Sequence, residues 1–219
     1  MTAEAEGRRA PDMVWYASYG SNLCAARFRC YIEGGIPPGA TRPCRGARDK
    51  TRPRQDRALD IPHRLYFAGT SKTWNGSPCF IDTVESPAIP THARAYLITW
   101  EQFEDVVAQE NGRSTSPIDL EFGDLAAGFS IRLGPGRYEN MLCLGSLDEV
   151  PVMTFTSPGT LAEAHTGAPS SSYLKMMVNG LRESHAMSDD DLVAYLGSAP
   201  GCSEELAASS LAPADESEG

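Results

Sequence analysis

Trp15-Tyr16-Ala17-Ser18-Tyr19-Gly20-Ser21-Asn22-Leu23 reads as a strand, a break and the start of a helix. Residues Val14 to Tyr19 are mostly β-branched or aromatic, the composition of a half-buried pleat. Gly20 can take a positive φ and lets a ligand approach the backbone closely. Ser21 and Asn22 are favoured helix N-cap residues, so the N–H groups that follow point outward without partners. Donors and the positive helix end then converge, which suits a carboxylate. The same residues also fit a plain tight turn between two packed elements.

At 219 residues the chain is long enough for one domain with a substantial core. Its formal net charge of −10 argues against a nucleic-acid partner or an anionic membrane surface. The six cysteines form no C-x-x-C pair and no Cys/His metal spacing, which fits a reduced compartment, here the cytoplasm, better than a disulfide framework. No apolar run reaches membrane-spanning length, and the first residues lack a signal-peptide core. Arginine greatly outnumbers lysine and alanine is abundant, a bias expected of a GC-rich bacterial genome.

Residues 1–12 are polar and alanine-rich and read as a disordered leader to a domain over 13–200. Asn22 to Glu33 reads as the first helix, stopped by Gly34-Gly35 and Pro37-Pro38. Residues 41–64 hold eight basic residues against three acids. They read either as a basic lid attracting an anion or as a solvated loop paired with the chain's own acidic surface. Leu65–Ala68 and Cys79–Val84 read as strands joined through Trp74-Asn75-Gly76, an Asn-Gly turn. His92 to Ile98 alternates as a half-buried strand.

Thr99 and Gln102 have capping-box spacing at the next helix start. Phe103, Val106 and Val107 form a stripe at i, i+3 and i+4, and position i+7 is Glu110. Seven residues at about 100° each return to within about 20° of Phe103, so Glu110 lies on the buried face. Glu101, Glu104 and Asp105 fall away from that stripe, and Gly112 ends the helix. A carboxylate on an apolar stripe is costly unless paired or neutralised. Desolvation raises its pKa, the tuning a general acid/base requires near neutrality. The alternative is a carboxylate that reaches water or pairs with Arg113.

Residues 114–135 read as an insertion with room for a short helix that covers the site. Tyr138–Leu147 and Pro151–Thr156 read as strands around Asp148-Glu149, and residues 161–169 as a polar loop. Ser170 to His185 reads as a helix with a Leu174, Met177 and Leu181 core stripe, with Tyr173 beside it. Ser188 and Asp191 start a last helix. Residues 201–219, acidic and without a base after Cys202, read as a disordered tail.

The Tyr19-Gly20-Ser21-Asn22-Leu23 stretch resembles the signature opening the γ-glutamylcyclotransferase-like superfamily. That superfamily includes γ-glutamylcyclotransferases, γ-glutamylamine cyclotransferases and the butirosin-pathway enzyme that removes a γ-glutamyl group. Further stretches match in the same order: Lys72 to Gly76, Ala95 to Ile98, Gln109 to Gly112, and Ser170 to Lys175. Here the sequence has Glu110-Asn111-Gly112, one residue longer than the family's Glu-Gly.

The resemblance implies an α+β fold, a mixed sheet curled into a partial barrel with helices outside. It implies Glu110 as general acid/base in an intramolecular attack that releases 5-oxoproline from a small γ-glutamyl substrate. It places Tyr16, Tyr19, Gly20, Ser21, Asn22, Leu23, Trp74, Tyr138 and Tyr173 at that substrate. The leaving amine and the oligomeric state stay open, and so does a silent binding module that has kept the pocket. No cofactor is implied. The four histidines show no metal-ligand spacing, no Gly-x-Ser-x-Gly elbow occurs, and neither a Walker A nor a dinucleotide fingerprint is present, which leaves a cysteine or serine nucleophile open.

Overall fold

A computed structural model describes residues 11–211, except 39, 41, 115–117 and 119–124. Six strands form one sheet in the order β2-β5-β1-β8-β7-β6. They are β1 (Met13–Ser18), β2 (Gln55–Ile61), β5 (Thr91–Thr99), β6 (Ser130–Arg132), β7 (Asn140–Leu147) and β8 (Val150–Thr156). The sheet is mixed: β1 runs antiparallel to β5 and parallel to β8. A separate two-stranded ribbon joins β3 (His63–Phe67) and β4 (Cys79–Glu85). The α+β class therefore holds. The expected curl does not, because the sheet is open, with β2 and β6 as its edges.

Among the described residues there are five α-helices: α1 (Ala25–Glu33), α2 (Trp100–Glu110), α3 (Ser171–His185), α4 (Asp189–Gly197) and α5 (Glu204–Ser209). Strand periodicity divides the core in two. Trp15, Ala17, Ala93 and Ala95 meet Leu174, Met177 and Leu181 of α3 and Leu192 and Leu196 of α4. Val14, Tyr16, Tyr96 and Ile98 meet Phe28 and Ile32 of α1 and Phe103, Val106 and Val107 of α2. The residues expected to make β5 half-buried are thus covered on both faces, because helices lie on each side of the sheet. Among the described residues, no helix is long and apolar enough to cross a membrane.

Local signals place the elements. Thr99 Oγ1 accepts from Gln102 N while Gln102 Oε1 accepts from Thr99 N, the reciprocal box that starts α2 and is worth about 1 kcal/mol. Ser188 and Asp191 do the same for α4. Asp148 and Glu149 both take positive φ, 51° and 63°, the twist that a two-residue hairpin between β7 and β8 demands. At Gly180 a Cβ would come within 2.3 Å of the Leu23 carbonyl carbon, so α3 lies against the turn after β1 only because that residue has no side chain.

Two segments differ from expectation. The second half of the arginine-rich segment is β2, registered residue for residue against β5 from Gln55↔Leu97 to Ile61↔Thr91. Its charged side chains hid a strand that needs only one apolar face at an edge. The acidic tail is structured as far as Leu211: α5 is capped by Ser203 and buries Ala207 in the core. The expected leader over 1–12 lies outside the described residues as far as Ala10, and the expected helix in the insertion lies largely outside them.

Candidate active site

The turn after β1, the C-terminal end of α2, the N-terminal end of α3 and the Trp74 connection enclose a cavity of about 400 Å³. Ser21–Leu23 forms a single 3₁₀ turn, closed by Leu23 N to Gly20 O at 2.9 Å and Cys24 N to Ser21 O at 3.3 Å. Among the described residues the N–H groups of Gly20, Ser21 and Asn22 have no acceptor. The helix expected from Asn22 begins at Ala25 instead, and neither Ser21 nor Asn22 caps it. Their side chains are used elsewhere: Ser21 Oγ accepts from Arg27 Nε at 2.9 Å, and Asn22 Nδ2 donates to Glu110 Oε1 at 3.0 Å.

Gly20 has φ −111°, so a left-handed backbone is not the reason for glycine. The reason is crowding: a Cβ there would lie 2.9 Å from Cys79 Sγ and 3.0 Å from Tyr173 Oη.

Glu110 stands on the buried stripe of α2 as the 3.6-residue period requires, and it lines the cavity. Burial pushes its pKa up, while the Arg27 charge and hydrogen bonds from Tyr31 and Asn22 pull it down; the net direction is upward. Arg113 is not its partner, because its guanidinium pairs with Glu139 at 2.6 Å. Glu104 and Asp105 lie off that stripe yet are not exposed. Asp105 is fully buried and Glu104 nearly so, both held by Arg48 at 3.0 Å. Arg48 of the basic segment thus pairs with buried acids of α2, while Arg42 of the same segment lines the cavity.

Asn111, between Glu110 and Gly112, is a strut. Its Oδ1 accepts from Tyr138 N, and its Nδ2 donates to Tyr138 O and Val107 O, each at 3.0 Å. Asn111 therefore fixes the end of α2 to the segment leading into β7.

Tyr16, Tyr19, Gly20, Ser21, Asn22, Trp74, Tyr138 and Tyr173 all line the cavity with Glu110. Leu23 does not: it is wholly buried in the core beneath α3. The tyrosine hydroxyls are fixed by the protein. Tyr19 donates to Phe155 O at 2.8 Å, Tyr138 donates to Cys79 O at 3.0 Å, and Tyr173 accepts from Cys79 N at 3.3 Å. Burial pushes all three up, so they stay neutral donors and walls. Burial also pushes the Cys79 thiol up to about 12, which keeps it protonated and disfavours it as a nucleophile.

Arg27 and Tyr31 line the site too and were missed in the sequence. Arg27 is 5 % exposed, lies 4.6 Å over the Trp74 ring, and its Nη1 has no hydrogen-bond partner. The available signal was their i, i+4 spacing on α1, which puts both on one helix face. Among the described residues lining the cavity there is one carboxylate, Glu110, and no histidine.

No family model matches the chain. It is 35% identical over 202 residues to histone deacetylase 5 of Arabidopsis thaliana, a match covering 85% of this chain and 30% of that protein. The chain thus spans less than a third of that curated relative. A solved γ-glutamyl cyclotransferase superposes with a TM-score of 0.50 at 17% identity, over 89% of this chain and 95% of that one. An uncharacterized protein from Homo sapiens gives 0.49 at 15% identity, over 92% and 100%. The likeness to the cyclotransferase establishes the fold.

Proposed function

We propose that the protein cleaves a γ-glutamyl amide by intramolecular aminolysis. The substrate's α-amine attacks its own γ-carbonyl carbon, the amide C–N bond breaks, and 5-oxoproline and a free amine leave. No water and no cofactor enter the balance. Among the described residues one carboxylate lines the cavity, half-buried at the end of α2 and bonded to the donor turn through Asn22, and it carries this reading.

Glu110 takes the proton from the α-ammonium and returns one to the departing nitrogen. Its raised pKa suits both halves of that transfer near neutrality. The free N–H groups of Gly20, Ser21 and Asn22 face the developing negative charge on the γ-carbonyl oxygen. The unpaired Nη1 of Arg27 offers the substrate's carboxylate a cation already desolvated against Trp74. The reacting groups share one molecule, so a cavity of about 400 Å³ that holds it folded supplies much of the acceleration.

The test is 5-oxoproline release from a panel of γ-glutamyl amino acids, γ-glutamyl amines and glutathione. Release from any member supports the reading, and the best member names the leaving amine. Protection of the fold by these compounds without release would replace it with a non-catalytic binding module.

A further inference from the structure

Asp60 and His92 are direct cross-strand partners in the β2–β5 register, and α3 delivers His185 to the same place from its last turn. His92 Nδ1 lies 2.7 Å from Asp60 Oδ1, and the two imidazole rings are 5.1 Å apart. One donor atom from each of the three residues falls within 4.8 Å of the others. None of the three lines the cavity containing Glu110.

His185 Nε2 is shielded from solvent and has no hydrogen-bond partner, while Nδ1 is 2.8 Å from Ser184 Oγ. A polar atom shielded from water is costly to leave unpaired, so this nitrogen is open to a further partner. Tyr195 fixes the neighbouring ring: it packs on His92 at 4.6 Å, and its hydroxyl accepts from His92 N at 3.0 Å.

We propose that Asp60, His92 and His185 form a binding site for a divalent transition-metal ion, which pins the end of α3 to the edge of the sheet. Two imidazoles and one carboxylate select zinc, cobalt or nickel over magnesium or calcium. Bonds of about 2.0–2.2 Å put the donors of one ion at most about 4.4 Å apart, so a small ring rotation closes the set. Three protein ligands leave further positions to water. Sequence spacing could not show this site, because its members come from β2, β5 and α3.

The experiment is titration of the metal-free chain with Co²⁺, read by its visible d–d bands and by calorimetry, with Zn²⁺ as competitor. The expected result is one Co²⁺ per chain, displaced by Zn²⁺, and a metal-dependent rise in melting temperature. His185→Gln and His92→Gln each weaken binding by about 100-fold or more, and Asp60→Asn by about 10-fold or more. No stoichiometric binding overturns the proposal, and so does binding that is unchanged in both histidine variants, which would place the ion on cysteines elsewhere. The readout needs no substrate, so it stands or falls apart from the cyclotransfer reading.

Discussion

Asn22 Nδ2 donates to Glu110 Oε1 at 3.0 Å and so ties the turn after β1 to the last residue of α2. That bond aligns a carboxyl whose burial is a net expense to the fold. The pKa of Glu110 is raised on folding, so its ionisation weakens the folded state as pH climbs from the ordinary carboxylate range through the raised value. Glu110→Gln removes that cost. Its melting temperature relative to wild type is expected to be higher at pH 7.5 than at pH 4. A wild type that instead gains on the variant as pH rises would mean that Arg27 and Asn22 outweigh desolvation.

Arg27 is the strongest influence holding the Glu110 pKa down. In Arg27→Gln that charge is gone, the neutral carboxyl is favoured, and the acidic limb of the pH–rate profile is expected to move to higher pH. KM is expected to rise alongside if Arg27 holds the substrate carboxylate as proposed. An unmoved limb would show that Arg27 acts on packing alone.

Gly20→Ala places a methyl 2.9 Å from Cys79 Sγ and 3.0 Å from Tyr173 Oη. Overpacking of this kind costs about 1–3 kcal/mol in urea unfolding. Adding Cys79→Ala removes the nearer atom, so the double variant is expected to recover about 0.5 kcal/mol or more over additivity. Strict additivity would refute the contact.

Arg48→Ala strips Asp105 and Glu104 of their common guanidinium, which also donates from Nε to Asp105. Asp105 is fully buried while the Arg48 side chain is 40% exposed, so solvent screening brings the loss below that of a fully buried pair, to about 2–3 kcal/mol by chemical denaturation. Arg48→Lys recovers part of it, since an ammonium cannot match the forked contact.

Period and capping made α2 legible before any coordinate: the Thr99–Gln102 box, the Phe103–Val106–Val107 stripe and the placement of Glu110 all follow from spacing. The turn was located from its residues but misassigned in detail, because Ser21 and Asn22 spend their side chains on Arg27 and Glu110 rather than on a cap. Arg27 and Asp105 were illegible for one reason: each charge is buried by a partner distant in the chain, and a helical wheel carries no such partner. Strand β2 was hidden because an edge strand tolerates the charges that composition assigns to loops.

Whether Glu110 moves the proton in the proposed cyclisation is read from 5-oxoproline release by wild type and Glu110→Gln on the best γ-glutamyl substrate. The expected result is a kcat lower by about 10²–10⁴-fold in the variant. KM is expected to change little, and the melting temperature at neutral pH is expected to be no lower than that of wild type. Equal turnover in a folded Glu110→Gln protein would contradict the account.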